Sequence, residues 1–146
     1  MAEGECEQVL RGHTGRVNSV KLCDVNHTAV TVSDDFSARV WHWSTGECRH
    51  VLQGHGGWIS DMALLPNASR GVTVSGDDLA VVWDLQEGKC CNVLEGHSAE
   101  TSSVVLTGRG RLVTSTAYIH HHVYRSKKIY GKQQQLLFVT VCLNHG

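Results

Sequence analysis

The stretch Val51-Leu52-Gln53-Gly54-His55 is the strongest indication of the fold, because the chain repeats it at a fixed spacing. The same pattern stands at residues 9–13 and again at residues 93–97, so consecutive copies lie 42 residues apart. Trp41 and Trp83 share that spacing. A repeat of this length indicates an array of small structural units, each of which buries its apolar surface against its neighbours.

The segments inside one repeat have the pattern of short β-strands. Residues 17–22 alternate apolar and polar side chains, and residues 29–33, which are largely β-branched, end at the turn signal Asp34-Asp35. Two further strand-like segments, residues 38–41 and 48–52, are separated by a Ser-Thr-Gly turn. Four strands per repeat without helical periodicity predict an all-β fold made of four-stranded antiparallel sheets.

The repeat resembles the WD40 family of β-propellers. The resemblance rests on the period of 42, on the early Gly-His and on Trp83-Asp84, with 28 residues from histidine to tryptophan in the first two repeats. Trp41 departs from the family pattern, because His42 follows it in place of aspartate. The resemblance covers about residues 3–116. It implies a WD40 repeat region over residues 1–116, with repeats at about 6–48, 48–90 and, in part, 90–116.

The resemblance also implies a buried polar network in each blade, in which a loop histidine, a serine or threonine, an aspartate and the tryptophan hydrogen-bond in series. The candidates are His13, Ser33, Asp35 and Trp41, then His55, Ser75, Asp77 and Trp83, then His97, with Thr31 and Thr73 as alternatives to the two serines. Buried polar groups must find partners, so such a network fixes the blade in one arrangement. Recurrence every 42 residues indicates architecture, and we expect no catalytic residue, cofactor or metal.

The third repeat breaks off after Thr116. Residues 103–106 and 112–116 match its first two strands, but Arg125 stands where the tryptophan would fall. We therefore expect residues 117–146 to be a non-repeat C-terminal tail, whose abrupt change of composition indicates alternative splicing or a shifted reading frame. Closed propellers use roughly 4–8 blades. This chain has too few blades to close, and its exposed blade edges invite association with other chains.

The tail has features that could be taken for binding sites. Residues His120–His122 are adjacent and alternate between the faces of a strand, so they cannot converge on one metal ion. Three lysines among tyrosines are too few to predict contact with nucleic acid. The apolar run Leu136–Leu143 is interpreted as an aggregation-prone strand.

Charge and composition narrow the class of protein. Residues 1–100 carry 7 basic and 14 acidic side chains, whereas residues 101–146 carry 6 basic and no acidic ones. No apolar run reaches the ~20 residues of a membrane-spanning helix, and the acidic N-terminus lacks the pattern of a signal peptide. We expect a cytoplasmic protein that binds neither membrane nor nucleic acid, with its six cysteines reduced and used in packing.

Candidate partner-binding residues lie on the rim that the resemblance implies. Arg16, Trp58 and Glu100 each stand three residues after a repeat histidine, and Asp34 precedes the turn aspartate of the first repeat. Their chemistry differs between repeats while the flanking residues stay constant, which is typical of a recognition surface. Exposed tryptophan and arginine commonly anchor interfaces. The alternative for Trp58 is packing against a neighbouring blade.

The expected function is that of a protein–protein interaction scaffold, a sector of a WD40 propeller from a longer protein, rather than an enzyme. Two alternatives stay open. In the first, the chain is a truncated or alternatively spliced isoform without independent folded function. In the second, it is the WD40 tail of a large signalling NTPase. In the latter case the phosphate-binding loop lies outside this chain.

Overall fold

The strands of the chain are short and follow one another in regular order. The structure, a computed structural model, describes residues 4–95, 101–106, 111–116, 128–131 and 134–140, with side chains for residues 4–95 and Val104. The strands are β1 Val17–Cys23, β2 Thr28–Ser33, β3 Ala38–His42, β4 Glu47–Leu52, β5 Ile59–Leu64, β6 Arg70–Ser75, β7 Ala80–Asp84, β8 Lys89–Leu94, β9 Thr101–Leu106, β10 Arg111–Thr116, β11 Lys128–Gly131 and β12 Gln134–Thr140. A single 3-10 turn, Asp24–Asn26, is the only helical element among the described residues. This confirms the all-β prediction.

Two of the sheets are copies of one another. Strands β1–β4 form blade 1 and strands β5–β8 form blade 2, each with its strands antiparallel and in sequence order. The registers also repeat: Val30 pairs with Val40 in blade 1, and Val72 pairs with Val82 in blade 2. The two blades confirm the predicted four-stranded antiparallel units of a partial WD40 propeller.

The third sheet departs from this plan. Its order is β11-β12-β10-β9, so that strands from the tail complete a sheet begun by the third repeat. Strand β10 pairs antiparallel with β9 but parallel with β12, with Leu112 opposite Phe138. In blades 1 and 2 the corresponding neighbours are antiparallel. The predicted boundary between residues 116 and 117 therefore falls inside this sheet. Residues His120–His122 and Arg125 lie outside the described part of the chain.

The core lies between the faces of neighbouring sheets. Blade 1 presents valines such as Val30 and Val40 to Ile59, Met62 and Trp83 of blade 2, and all of these side chains are buried. A second apolar cluster joins blade 2 to the third sheet through its residues Ala63, Val72, Val74, Ala80, Val82 and Val104. β-branched residues suit such packing because they are stiff and fit the pleated surface of a strand.

One face of blade 1 has no such cover within the described residues. We call the side chains of Val17, Val20 and Leu22 the upstream face, and they are 48%, 53% and 63% exposed. The positions in blade 2 that match Val17 and Val20 are Ile59 and Met62, which are 0% and 1% exposed because blade 1 covers them. The same repeat position is thus core in one blade and surface in the other.

The cysteines do not all serve in packing. Cys23 is buried, and its thiol contacts the carbonyl oxygen of Pro66. Cys6, Cys90 and Cys91 are exposed, and none of these four cysteines is in a disulfide bond. The interpretation of the cysteines as packing residues is therefore wrong for these three. Cys90 and Cys91 lie on β8, the outermost strand of its blade, where neither face of the strand is deeply covered.

In the part of the chain that the structure describes, no helix has the length and apolar character needed to cross a membrane.

Candidate protein-binding rim

A chain of hydrogen bonds ties the loop histidine of blade 1 to its tryptophan. Trp41 Nε1 donates to Thr31 Oγ1 at 2.9 Å, the same hydroxyl lies 2.7 Å from His13 Nε2, and His13 Nδ1 lies 2.8 Å from Asp35 Oδ2. An indole N–H can only donate and a carboxylate can only accept. Nδ1–H therefore donates to the carboxylate, and the threonine hydroxyl links Nε2 to the indole N–H.

Blade 2 repeats the chain of bonds with the same residue types. Trp83 Nε1 donates to Thr73 Oγ1 at 2.8 Å, which lies 2.7 Å from His55 Nε2, and His55 Nδ1 lies 2.9 Å from Asp77 Oδ2. The predicted histidines, aspartates and tryptophans of both blades are thus brought together. His97, the candidate of the third repeat, lies outside the described residues.

The serines placed in this series by sequence lie beside it instead. Thr31 and Thr73, the alternatives, stand between histidine and tryptophan, because Thr31 pairs across from Arg39 and the indole of Trp41 reaches it diagonally over the sheet. Ser33 Oγ accepts the backbone N–H of Asp35 at 3.1 Å, and Ser75 Oγ does the same for Asp77 at 3.2 Å. The expected role of Ser33 and Ser75 in the series is wrong, and they shape the turn that carries the aspartate.

Sequence reasoning missed Ser37, which completes the aspartate site in blade 1. Its hydroxyl donates to Asp35 Oδ1 at 2.6 Å, and its backbone N–H donates to the same oxygen at 2.9 Å. The signal was a serine two residues after a turn aspartate, an arrangement that favours such bonds. The repeat concealed it, because Leu79 holds the matching place and gives Asp77 only its backbone N–H.

The turn aspartates are held in the ionised form. Burial raises the pKa of the Asp35 carboxyl, but hydrogen bonds from Ser37, His13 and the backbone N–H of Thr14 outweigh burial and hold this pKa far below its ordinary value. Burial likewise raises the pKa of Asp77, and hydrogen bonds from His55 and the backbone of Gly56 and Leu79 bring it below its ordinary value.

These depressed pKa values predict a stability that depends on acid pH. Because the folded carboxyls bind protons less readily than the unfolded ones, their stabilisation is complete above the unfolded pKa of about 3.9 and is lost as the pH falls below it. We expect the urea midpoint of unfolding to fall from about pH 4 downward, and to fall less steeply in Asp35→Asn. Urea titrations at stepped pH measure this, with the exposed Glu47→Gln as control. Equal pH dependence of Asp35→Asn and the parent chain would contradict it.

The networks place two loops side by side on the rim of each blade. The backbone N–H of Asp34 donates to the carbonyl of Arg16 at 2.9 Å, and that of Gly76 donates to the carbonyl of Trp58 at 3.0 Å. The residue three positions after each histidine therefore lies beside the residue that precedes each turn aspartate. These are the positions that vary between the repeats.

In blade 1 the two variable positions carry opposite charges. Arg16 Nε lies 3.6 Å from Asp34 Oδ2, with side chains 80% and 41% exposed. Asn18 connects them, since its Oδ1 accepts from Arg16 Nε at 3.1 Å and its Nδ2 donates to Asp34 Oδ1 at 2.7 Å. Asn18 Nδ2 also reaches the carbonyl of Ile59 in blade 2 at 2.9 Å, which fixes this group at the joint between the blades.

In blade 2 the same two positions carry an aromatic ring and a glycine. A Cβ atom on Gly76 would lie 2.5 Å from Cε2 of Trp58, so only glycine lets the indole rest on this turn. Trp58 keeps 45% of its surface exposed. The ring thus lies on the turn of its own blade, with a large part of its surface facing outward.

Three of the four variable positions, Arg16 and Asp34 of blade 1 and Trp58 of blade 2, line one cavity. It has a volume of about 590 Å³ and is lined by Arg16, Asn18, Asp34, Trp58 and Ser60. The structure therefore brings together three of the four predicted rim residues, and Glu100 lies outside the described part of the chain. Asn18 and Ser60 were missed, although they too are 42 residues apart and each stands two residues after a rim residue, at the point where the pairing of β1 or β5 shifts its register.

The network of blade 2 has the residue types of a hydrolase triad, but its hydroxyl is buried. Thr73, His55 and Asp77 are ordered as in a hydrolase triad, but Thr73 is 1% exposed and its hydroxyl accepts the indole N–H of Trp83. A substrate has no path to that oxygen. Among the described residues no group of three histidine, cysteine, aspartate or glutamate side chains is placed to hold a metal ion.

Comparison with known proteins agrees with the geometry. The family model described as "WD40: WD domain, G-beta repeat" matches residues 4–42 and again residues 46–84, which together make up more than half of the chain. No curated protein matches the sequence. Two matched repeats, each folded as a four-stranded blade with its own His-Thr-Trp-Asp network, show that the chain belongs to the WD40 repeat family.

Proposed function

We propose that this chain is a protein–protein interaction scaffold that binds its partner through the rim residues Arg16, Asp34 and Trp58. WD40 repeats are generally non-catalytic interaction scaffolds. The observation that carries the proposal is the rim cavity, in which the positions that differ between the repeats converge. The histidine, threonine, aspartate and tryptophan that hold each blade together are the same in both repeats, whereas the rim residues differ, as expected of positions used for recognition.

Trp58 is the proposed anchor of the interface. A tryptophan offers a large rigid surface, and one that stays 45% exposed has much apolar area left to bury against a partner. Arg16 and Asp34 border it with polar, solvated groups, which is the usual arrangement of a contact centre and its rim. Glu100 is proposed to extend this rim into the third repeat.

Replacing Trp58 with alanine is expected to weaken partner binding by about 2 kcal/mol or more, roughly thirtyfold in affinity. Arg16→Ala should act mainly on the association rate and its salt dependence, because exposed charges steer encounter. The partner is first identified by proximity labelling in cells with the parent chain and Trp58→Ala, and is then titrated against each variant. The matched control is Trp43→Ala, a half-buried tryptophan at the other end of blade 1. Unchanged affinity in both Trp58→Ala and Arg16→Ala would refute the proposal that the rim binds the partner.

A second candidate function is association with another protein through the upstream face of blade 1. The upstream face exposes Val17, Val20 and Leu22 where blade 2 buries Ile59 and Met62 at the matching positions. Its cover would be a further blade supplied by another chain or another part of a longer protein. Three further proposals rest on the sequence alone. The chain originates from a longer protein or by alternative splicing, residues 117–146 lie outside the repeats, and the protein is located in the cytoplasm.

A further inference from the structure

We propose that the rim cavity accepts a basic side chain, lysine or arginine, from an extended segment of the partner protein, held between the carboxylate of Asp34 and the indole of Trp58. This inference rests on the proposed function and specifies the chemistry that the rim recognises.

The cavity already holds a cationic group from the chain itself. The guanidinium of Arg16 lies beside Asp34, with Nε 3.6 Å from Oδ2, while its side chain remains 80% exposed. An ion pair this exposed is weak, because water screens it and ordering a long side chain opposes it. A second cation brought by a partner can therefore displace Arg16 from Asp34 at little cost. Asn18 keeps the carboxylate in place through its 2.7 Å bond to Oδ1.

Trp58 supplies the opposite side of the site. Gly76 lies against the indole and leaves room for it. Trp58 lines the cavity, and 45% of its surface is exposed. The faces of aromatic rings attract lysine and arginine cations, tryptophan most strongly. The chain uses such a contact elsewhere, since the guanidinium carbon of Arg39 lies 5.9 Å from the centre of the Trp41 ring. Trp58 and Asp34 together favour a side chain with a long apolar stem and a positive end.

The charge around the cavity favours a cation over an anion. Residues 4–95 carry 7 basic and 12 acidic side chains. Asp35 follows Asp34, which lines the cavity, and Asp77 and Asp78 follow Gly76, against which Trp58 lies, so the turns next to these two rim residues are acidic. The carboxyls of Asp35 and Asp77 stay ionised because hydrogen bonds lower their pKa values. An acidic partner side chain could pair with Arg16 only by approaching these aspartates, whereas a basic one is drawn toward them.

The size of the cavity suits a side chain together with its backbone. A volume of about 590 Å³ falls within the roughly 300–1,000 Å³ that is usual for small-ligand clefts. Asn18 and Ser60 make its lining polar.

The test follows the indole signal of Trp58 in ¹H–¹⁵N NMR spectra of the full chain, assigned with Trp58→Phe. The probes are the Nα-acetyl amides of lysine, arginine, glutamate and leucine. The lysine and arginine probes are expected to move the Trp58 signal in a saturable way, and the glutamate and leucine probes are expected to leave it in place. A shift with the glutamate probe, or none with either basic probe, overturns the inference.

Two variants of opposite sign sharpen the test. Asp34→Asn removes the anion and should lower the affinity for the basic probes by about fivefold. Arg16→Ala removes the competing internal cation and should raise that affinity by a similar factor. Asp24→Asn, in the exposed turn after β1, is the matched control and should change nothing. If Arg16→Ala weakens the basic probes, the inference fails. If Trp58→Ala weakens the protein partner while no basic probe binds, the inference fails and the proposed function stands. If the probes bind but Trp58→Ala and Arg16→Ala both leave the affinity for the protein partner unchanged, the proposed function fails, and the inference that rests on it fails with it.

Discussion

Replacing Trp83 with alanine is expected to lower the free energy of unfolding by about 3–5 kcal/mol, the usual cost of removing a large aromatic side chain from a core. The ring is 2% exposed and belongs to the apolar cluster between blades 1 and 2. Its Nε1 also donates to Thr73, whose hydroxyl supports His55. The substitution therefore opens a cavity and loosens the polar network at once. Since domains are stable by only about 5–15 kcal/mol, this is a large share of the total.

Two further variants separate the contributions to this loss of stability, and a third serves as the control. Trp83→Phe keeps most of the apolar surface and removes only the donor, so it should cost less than the alanine variant. His55→Ala leaves Asp77 and Thr73 each short of a partner and should cost about 1–3 kcal/mol. Trp43→Ala, at a half-buried position outside the network, is the control. The measurement is urea unfolding followed by circular dichroism, and a near-neutral Trp83→Ala in a chain that unfolds cooperatively would contradict the expectation.

The parts of the fold that recur in the sequence could be predicted from it. The spacing of 42 placed the strands of both blades, and it singled out His55, Asp77 and Trp83 as candidates for one network. Alternation along β6 could not choose between Thr73 and Ser75, because residues two apart on a strand face the same side. The choice depends on how far the indole of Trp83 reaches diagonally across the sheet, which is a three-dimensional quantity.

Most of what sequence reasoning missed is made by contacts that a periodic pattern does not encode. The parallel pairing of β10 with β12 is made by backbone groups, and a periodic pattern of side chains does not encode the direction of a distant strand. The rim cavity was foreseen only as a row of loop residues. Asn18, which lines it, bridges from Asp34 to Ile59 of the next blade, a contact between segments 41 residues apart.

An aspartate placed at Met62 is expected to cost at least about 3 kcal/mol, whereas the same residue at Val20 should cost less than about 1 kcal/mol. The two positions are equivalent in the repeat and lie on matching strands. Met62 is 1% exposed between the blades, so a carboxylate there would be buried without a partner, while Val20 is 53% exposed and leaves the carboxylate in water. Each variant is the matched control of the other, and urea unfolding of both gives the difference.

The same pair separates the two candidate modes of association. If a further blade docks on the upstream face, Val20→Asp should abolish that association while the chain keeps its cooperative unfolding, because the charge would then be buried in the contact. Trp58→Ala should leave association through this face unchanged, since Trp58 lies on the rim rather than on the upstream face. Sedimentation equilibrium of the parent chain and both variants measures self-association, and titration with the labelled partner measures association with it. A Val20→Asp chain that unfolds like Met62→Asp would show that the upstream face is already covered within this chain, and the second candidate would then be wrong.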